Sequence, residues 1–138
     1  GSVSFYYYIP SSIQPQGAGY FFDHGPLGAF TSGGIGWVTR GNSIATSKLS
    51  EVWTHFVGTY DGNYSRIYSN GILVRSEACT PELNNPCPIL LGTYLNTALR
   101  LGKTLGNEYF YSGRIDEFRI YDWALTATEV QSLATNCD

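Results

Sequence analysis

Two turn dipeptides near the middle of the chain restrict its fold more than any other feature. Asp61-Gly62 follows the apolar run 52–60, and Asn70-Gly71 separates the runs 64–69 and 72–76. Asp-Gly and Asn-Gly tolerate the positive φ that tight hairpin turns require. The runs Val52 to Tyr60, Tyr64 to Ser69 and Ile72 to Ser76 therefore read as three strands of an antiparallel meander.

The rest of the chain repeats the pattern of short strands and turns. Val3, Phe5, Tyr7 and Ile9 alternate with Ser4, Tyr6 and Tyr8, and Pro10 ends this first strand. Residues 11–19 are a loop by composition. Strands follow at 19–22 and 27–31, around the turn 23–26, and at 35–40 after Gly33-Gly34. The polar stretch 41–51 reads as loop with one short strand. Further short strands are expected at 89–91, 99–101 and 108–111. In GRIDEFRIY (113–121), Ile115, Glu117, Arg119 and Tyr121 alternate with Asp116, Phe118 and Ile120, which predicts a long strand.

One helical turn is expected near the end. Thr126 precedes Glu129 by three residues, the spacing of a capping box, and Val130 and Leu133 would form the buried side. Tyr (11), Phe (7) and Gly (16) are abundant, which suits pleated surfaces and tight turns. The length, 138 residues, fits one domain, 1–138. The fold class is all-β with one short C-terminal helical turn.

Charge and cysteines exclude several classes of function. Net charge is −3 and no basic run exists, so a general nucleic-acid or anionic-membrane surface is not expected. No apolar stretch reaches membrane-spanning length, so no membrane insertion is expected. Cys79, Cys87 and Cys137 form no CxxC pair, and no His/Cys cluster points to zinc or iron. Cys79 and Cys87 bracket the loop CTPELNNPC and read as a local disulfide, the alternative being two reduced thiols. Cys137 is then left to pair outside the chain or to stay free.

Three segments taken in order carry a family resemblance. V-W-T-H-F-V-G-T-Y-D-G (52–62), R-I-Y-S-N-G (66–71) and G-R-I-D-E-F-R-I-Y-D-W-A-L-T-A-T-E-V (113–130) resemble laminin-G-like domains of the concanavalin-A-like lectin/glucanase group. The first strand resembles the family's strand that usually carries a Trp, with Tyr7 in that place. The resemblance implies a jelly-roll sandwich of two antiparallel sheets. It also implies roles in adhesion or carbohydrate binding, often with calcium. Family members usually begin with an additional strand region, often containing Phe-Asp-Gly, that pairs with the Ile-Asp-Glu strand. This sequence has no counterpart of it, so the chain is either part of a longer protein or closes its sheet differently. In the first case strand 113–121 has an unpaired edge.

Candidate chemistry is sparse. The hydrolase pattern Glu-x-Asp-x-x-Glu is absent, and Asp116 and Glu117 are neighbours that a strand points to opposite faces. No G-x-S-x-G elbow exists, and His55 lies within an apolar strand as a packed, hydrogen-bonded histidine. Asp116 corresponds to the family aspartate that supports a structural calcium, or else is a strand-edge carboxylate paired with Arg114 or Arg119. Asp61 and Asn63 read as turn residues. Sugar sites join an aromatic platform to groups that bind hydroxyls. Trp37 and Tyr94 are the candidate platforms, with Asn96, Asp23 and His24 as polar partners. Trp53 is expected in the core, and Trp123 packed under the terminal helix. Asn63-Tyr64-Ser65 fits a glycosylation acceptor. The expected function is non-catalytic extracellular or cell-surface recognition, by carbohydrate binding or cell adhesion. Its partner would be a glycan or an extracellular protein, beside neighbouring modules of a larger chain. The alternatives are a structural building block of an extracellular assembly and, behind it, a glycoside hydrolase of related fold.

Overall fold

A computed structural model of the protein describes residues 1–10, 19–24, 27–31, 34–39, 42–47, 49–78, 99–102, 111 and 113–135. Among the described residues ten strands and one helix follow in chain order: β1 (Ser2–Tyr8), β2 (Gly19–His24), β3 (Leu27–Thr31), β4 (Ile35–Thr39), β5 (Asn42–Thr46), β6 (Thr54–Tyr60), β7 (Tyr64–Ser69), β8 (Ile72–Ala78), β9 (Arg100–Leu101), β10 (Arg114–Tyr121) and α1 (Ala127–Thr135). They form two antiparallel sheets, β10-β1-β6-β7-β8 and β5-β4-β3-β2-β9, packed as a jelly-roll sandwich. The expected meander is present as β6-β7-β8. Asn70 (φ 50°) and Gly71 (φ 83°) turn its second hairpin. The Asn70 side chain also accepts a bond from the His55 N–H at 2.9 Å, extending the ladder past the turn. The strands expected at 89–91 and over most of 108–111 lie outside the described residues.

The inner faces meet in an aromatic core. Val3, Phe5 and Tyr7 of β1 join Phe56, Ile67, Phe22, Ile35, Trp37 and Ile44 there. Phe5 stands 5.0 Å from Phe56, 5.1 Å from Phe21 and 5.9 Å from Phe118, ring centre to ring centre. A register shift between Tyr20 and Phe22 marks a bulge in β2, which lets both Phe21 and Phe22 reach this core. Trp37 bridges the two sheets. Its Nε1 donates to the Thr59 carbonyl at 3.2 Å, and its ring lies so close to Gly58 that a Cβ there would meet ring carbon at 2.5 Å.

The outer face of the first sheet is also covered, by α1. Val57, Tyr68, Leu125 and Val130 form a second apolar cluster, with Tyr121 and Leu133 packed against it. Covered on both faces, β6 is buried along its whole length. The expected capping box is present: Glu129 N–H donates to Thr126 Oγ1 at 3.2 Å, and Thr126 N–H donates to the Glu129 carboxylate at 3.1 Å.

Two expectations need correction. Trp53 is not in the core: it precedes the first β6 residue and is 43% exposed. The alternation along β10 is also broken. Glu117 takes φ 53°, and the pairing with β1 jumps between Ser4↔Arg119 and Tyr6↔Asp116. This bulge puts Ile115 and Phe118, three residues apart, against the same core. β10 pairs with β1 on one side, and among the described residues no strand pairs with its other edge.

Candidate functional site

A groove of about 270 Å³ opens where β10 hands over to α1. Ser2 fixes this handover, because its hydroxyl donates to the Trp123 carbonyl at 2.7 Å and accepts the Leu125 N–H at 2.8 Å. Residues between the strand and the helix cap are thereby held on β1. Val130, fully buried, seats the helix on the sheet. Between these anchors Trp123 remains 49% exposed, with Tyr121 edge-on to it at 5.2 Å and 71°. Thr128, Glu129, Ser132 and Leu133 line the opposite wall.

Glu129 orients the platform. One carboxylate oxygen accepts the Thr126 N–H, and the other accepts Trp123 Nε1 at 3.4 Å. The backbone bond from Thr126, then the bond with its hydroxyl and the one from Trp123, hold the carboxyl below its ordinary value. It is thus an ionised cap that steers the indole. Thr128 and Ser132, both exposed on α1, add hydroxyls beside the apolar floor. The arrangement offers an aromatic face for an apolar ring surface and polar groups for its rim.

The expected placement of Trp123 under the helix is therefore corrected: the side chain faces solvent at the groove. Pattern reading sets Trp123 aside as a packed residue and does not single out Tyr121, Thr128 or Ser132. The available signal was position, since Trp123 lies after the period-two run and before the cap, so neither element's buried face claims it.

Trp37, expected as a ligand platform, is corrected too. It is 1% exposed and belongs to the core, because Gly58 leaves room for its ring between the sheets. Asp23 and His24 close the β2–β3 hairpin, opposite Gly28 and Leu27, and their side chains lie outside the described residues. Tyr94, Asn96, Cys79, Cys87 and Cys137 lie outside them altogether. Asn63 is exposed in the turn, where Asp61 Oδ1 accepts the N–H groups of Asn63 (2.8 Å) and Tyr64 (2.7 Å), the turn role expected of Asp61.

Asp116 is exposed and accepts the Glu117 N–H at 2.8 Å, while Arg119 pairs with Glu117 at 3.1 Å. Of the two arginines expected as partners of Asp116, Arg119 pairs with Glu117 instead, and among the described residues Asp116 forms no ion pair with Arg114. Calcium takes roughly six to eight oxygens. Among the described residues no three acidic, His or Cys side chains converge, so those around Asp116 alone do not form such a cage.

His55 is packed as expected, 2% exposed, with Nε2 at 2.8 Å from Ser4 Oγ. Its Nδ1 is buried and has no hydrogen-bond partner among the described residues. Burial, and secondarily the charge of Arg119, push its pKa down to about 4. Among the described residues no carboxylate orients this imidazole, and both side chains are buried from substrate, so the pair is not arranged as an activated nucleophile.

This sandwich, with its helix on the outer sheet face, is matched by one family profile over residues 3–131, described as the concanavalin A-like lectin/glucanases superfamily (Laminin_G_3). The chain belongs to this family. Among solved structures, domain 4 of AbnA, a GH43 extracellular arabinanase from Geobacillus stearothermophilus, in complex with arabinotriose, is similar, with 22% identity and a TM-score of 0.62. The match covers 97% of this chain and 66% of that one. The receptor binding domain of botulinum neurotoxin D has 16% identity and a TM-score of 0.73, over 96% of this chain and 36% of its own. The serotype D ligand binding domain in complex with N-acetylneuraminic acid has 15% identity and a TM-score of 0.72, over 99% and 36%. At these identities the likeness is one of fold, and the chain spans about a third of the toxin domains. No curated protein sequence matches the chain.

Proposed function

We propose that this laminin-G-like domain is a non-catalytic carbohydrate-binding module, working outside the cell as one part of a larger protein. The observation that carries this reading is the groove itself: a half-exposed Trp123 held edge-on to Tyr121, beside the hydroxyls of Thr128 and Ser132. A saccharide ring packs its C–H face on the indole while its rim hydroxyls bond to the helix side chains. The volume, a little below the roughly 300–1,000 Å³ of drug-sized sites, suits one ring of a chain that continues into solvent. Two solved relatives were captured with saccharides, arabinotriose and N-acetylneuraminic acid, which supports the ligand class.

The lining supports the non-catalytic reading. Glycoside hydrolysis uses two carboxyl groups about 5–9.5 Å apart across the scissile bond. Glu129 is the only carboxylate on the groove among the described residues, and both its oxygens accept hydrogen bonds.

The test is titration of the chain with neutral oligosaccharides, arabinotriose included, in calcium and then in chelator. Binding is expected, and W123A is expected to raise Kd roughly 30-fold, the effect of removing a central aromatic anchor. A folded chain that binds no saccharide, or a W123A variant that binds as well as the parent, refutes the proposal. The structural-block reading has its own observation. β8 is exposed along its length, with Ile72 at 68% and Leu73 at 48%, and among the described residues no strand pairs with its outer edge. A concentration-dependent dimer lost in I72K would favour that reading.

A further inference from the structure

We propose that Trp53, Tyr8 and Arg114 form a second site, which takes a saccharide carrying a carboxylate, a uronic acid residue. The cluster lies on the outer face of the first sheet, at the end of the β1–β10 ladder where Tyr8 pairs with Arg114. Tyr121 pairs with Ser2 at the other end. At about 3.3 Å per residue the two sites are roughly 20 Å apart.

Trp53 is 43% exposed, and its ring lies 5.6 Å from that of Tyr8 at 47°. The Arg114 guanidinium sits over the Tyr8 ring at 5.6 Å. The other arginines whose side chains are described are ion-paired: Arg66 with Asp61, Arg75 with Glu77 and Arg119 with Glu117. Arg114 has no carboxylate within salt-bridge distance among the described residues, and Asp116 beside it accepts the Glu117 N–H instead. A stacked, unpaired guanidinium presents a fork of donors that matches a carboxylate. The exposed indole beside it supplies the apolar ring platform.

The parts are held in place before any ligand arrives. Tyr8 Oη donates to the Glu51 carboxylate at 2.8 Å. Glu51, at φ 62°, donates its own N–H to the Ile9 carbonyl at 2.8 Å. Tyr111 Oη lies 2.9 Å from the Tyr8 carbonyl and 3.2 Å from that of Arg114, tying the two strands together beneath the cluster. A platform fixed in this way loses little freedom on binding.

The experiment is calorimetric titration with trimers of galacturonate, glucuronate and mannuronate, each beside its methyl ester. At least one acid is expected to bind, with its ester about ten-fold weaker or more, because the charge-assisted bonds are lost. R114Q and W53A should each weaken the acid by a similar factor, while R114Q binds neutral sugars as the parent does. Thermal melts of both variants confirm folding. Equal affinity for acid and ester, an unaffected R114Q, or no binding of any acid overturns the proposal. Acid binding lost in W123A but kept in R114Q overturns it as well, and assigns the acid to the groove.

Discussion

Substituting Gly58 by Ala tests whether the sandwich depends on Trp37 lying flat against the β6 backbone. In an ordinary strand this change would help, since Ala loses less freedom on folding than Gly by roughly 0.5–1 kcal/mol. Here the new methyl would stand 2.5, 2.7 and 2.8 Å from three indole carbons, well inside contact distance. The indole has little room to retreat. Phe22 lies 6.2 Å away and Phe56 6.5 Å away, and Nε1 is tied to the Thr59 carbonyl. Overpacking a filled core costs about 1–3 kcal/mol. Displacing the indole also lengthens its hydrogen bond, worth about 1 kcal/mol. The clash therefore outweighs the backbone gain, and G58A should lose about 2–3 kcal/mol net. For a chain of this size that lowers Tm by roughly 6–12 °C. Urea unfolding followed by tryptophan fluorescence and circular dichroism measures the loss. Combining G58A with W37F, whose smaller ring leaves space, should return about 1 kcal/mol or more of it. A G58A melt within about 2 °C of the parent, or strictly additive losses in the double variant, would refute the packing argument.

Three further perturbations follow from the groups described above. His55 has a folded pKa of about 4 against an unfolded 6.5, so the unfolded chain binds the extra proton between those values. Stability should therefore be full above pH 6.5 and fall as pH drops toward 4, by on the order of 3 kcal/mol. H55Q should flatten the pH 6.5–5 part of a Tm-versus-pH series, and an unchanged slope would count against the buried neutral imidazole. T126A removes the helix cap and should cost about 1 kcal/mol, read as a drop of roughly 3–4 °C in Tm. Glu129, held below its ordinary 4.5, contributes its stabilisation above that pH and loses it as pH falls. E129Q should erase that acid-side dependence, and a variant that still tracks the parent below pH 4.5 would contradict it.

Local chemistry was the part of this fold that could be read from the sequence. The turn at Asn70-Gly71 depends on residues that accept positive φ, and the helix start depends on a Thr and a Glu three residues apart. Both signals sit within a few neighbouring residues. The three tryptophans were harder because their burial is decided across the sheets. Trp37 is buried through the absence of a side chain at Gly58, which lies on the opposite sheet. Trp53 misses the inner face by falling one residue before β6 begins, a boundary that apolar pattern alone does not place. Trp123 is kept outward by Ser2, far away in sequence, which pins the backbone on both sides of Ala124. The bulge at Glu117 was equally hidden, because period-two reading assumes an unbroken ladder. The groove thus rests on contacts between residues distant in sequence, and only its capping carboxylate, Glu129, belongs to a local motif.

The position of β1 sets the order in which the molecule can assemble. Its partners on either side are β6 and β10, so the first strand of the chain waits for one neighbour from the middle and one from the far end. The second wait is long, since Ser2 pairs with Tyr121. During synthesis from the N-terminus, β1 leaves the ribosome with both hydrogen-bonding edges bare, and the second stays so until β10 has emerged. Folding that depends on such distant pairings is slow, in the range of milliseconds to seconds. Val3, Phe5 and Tyr7, which end in the core, lack that partner strand for the interval, and unpaired apolar strands of this kind favour aggregation until the sheet closes.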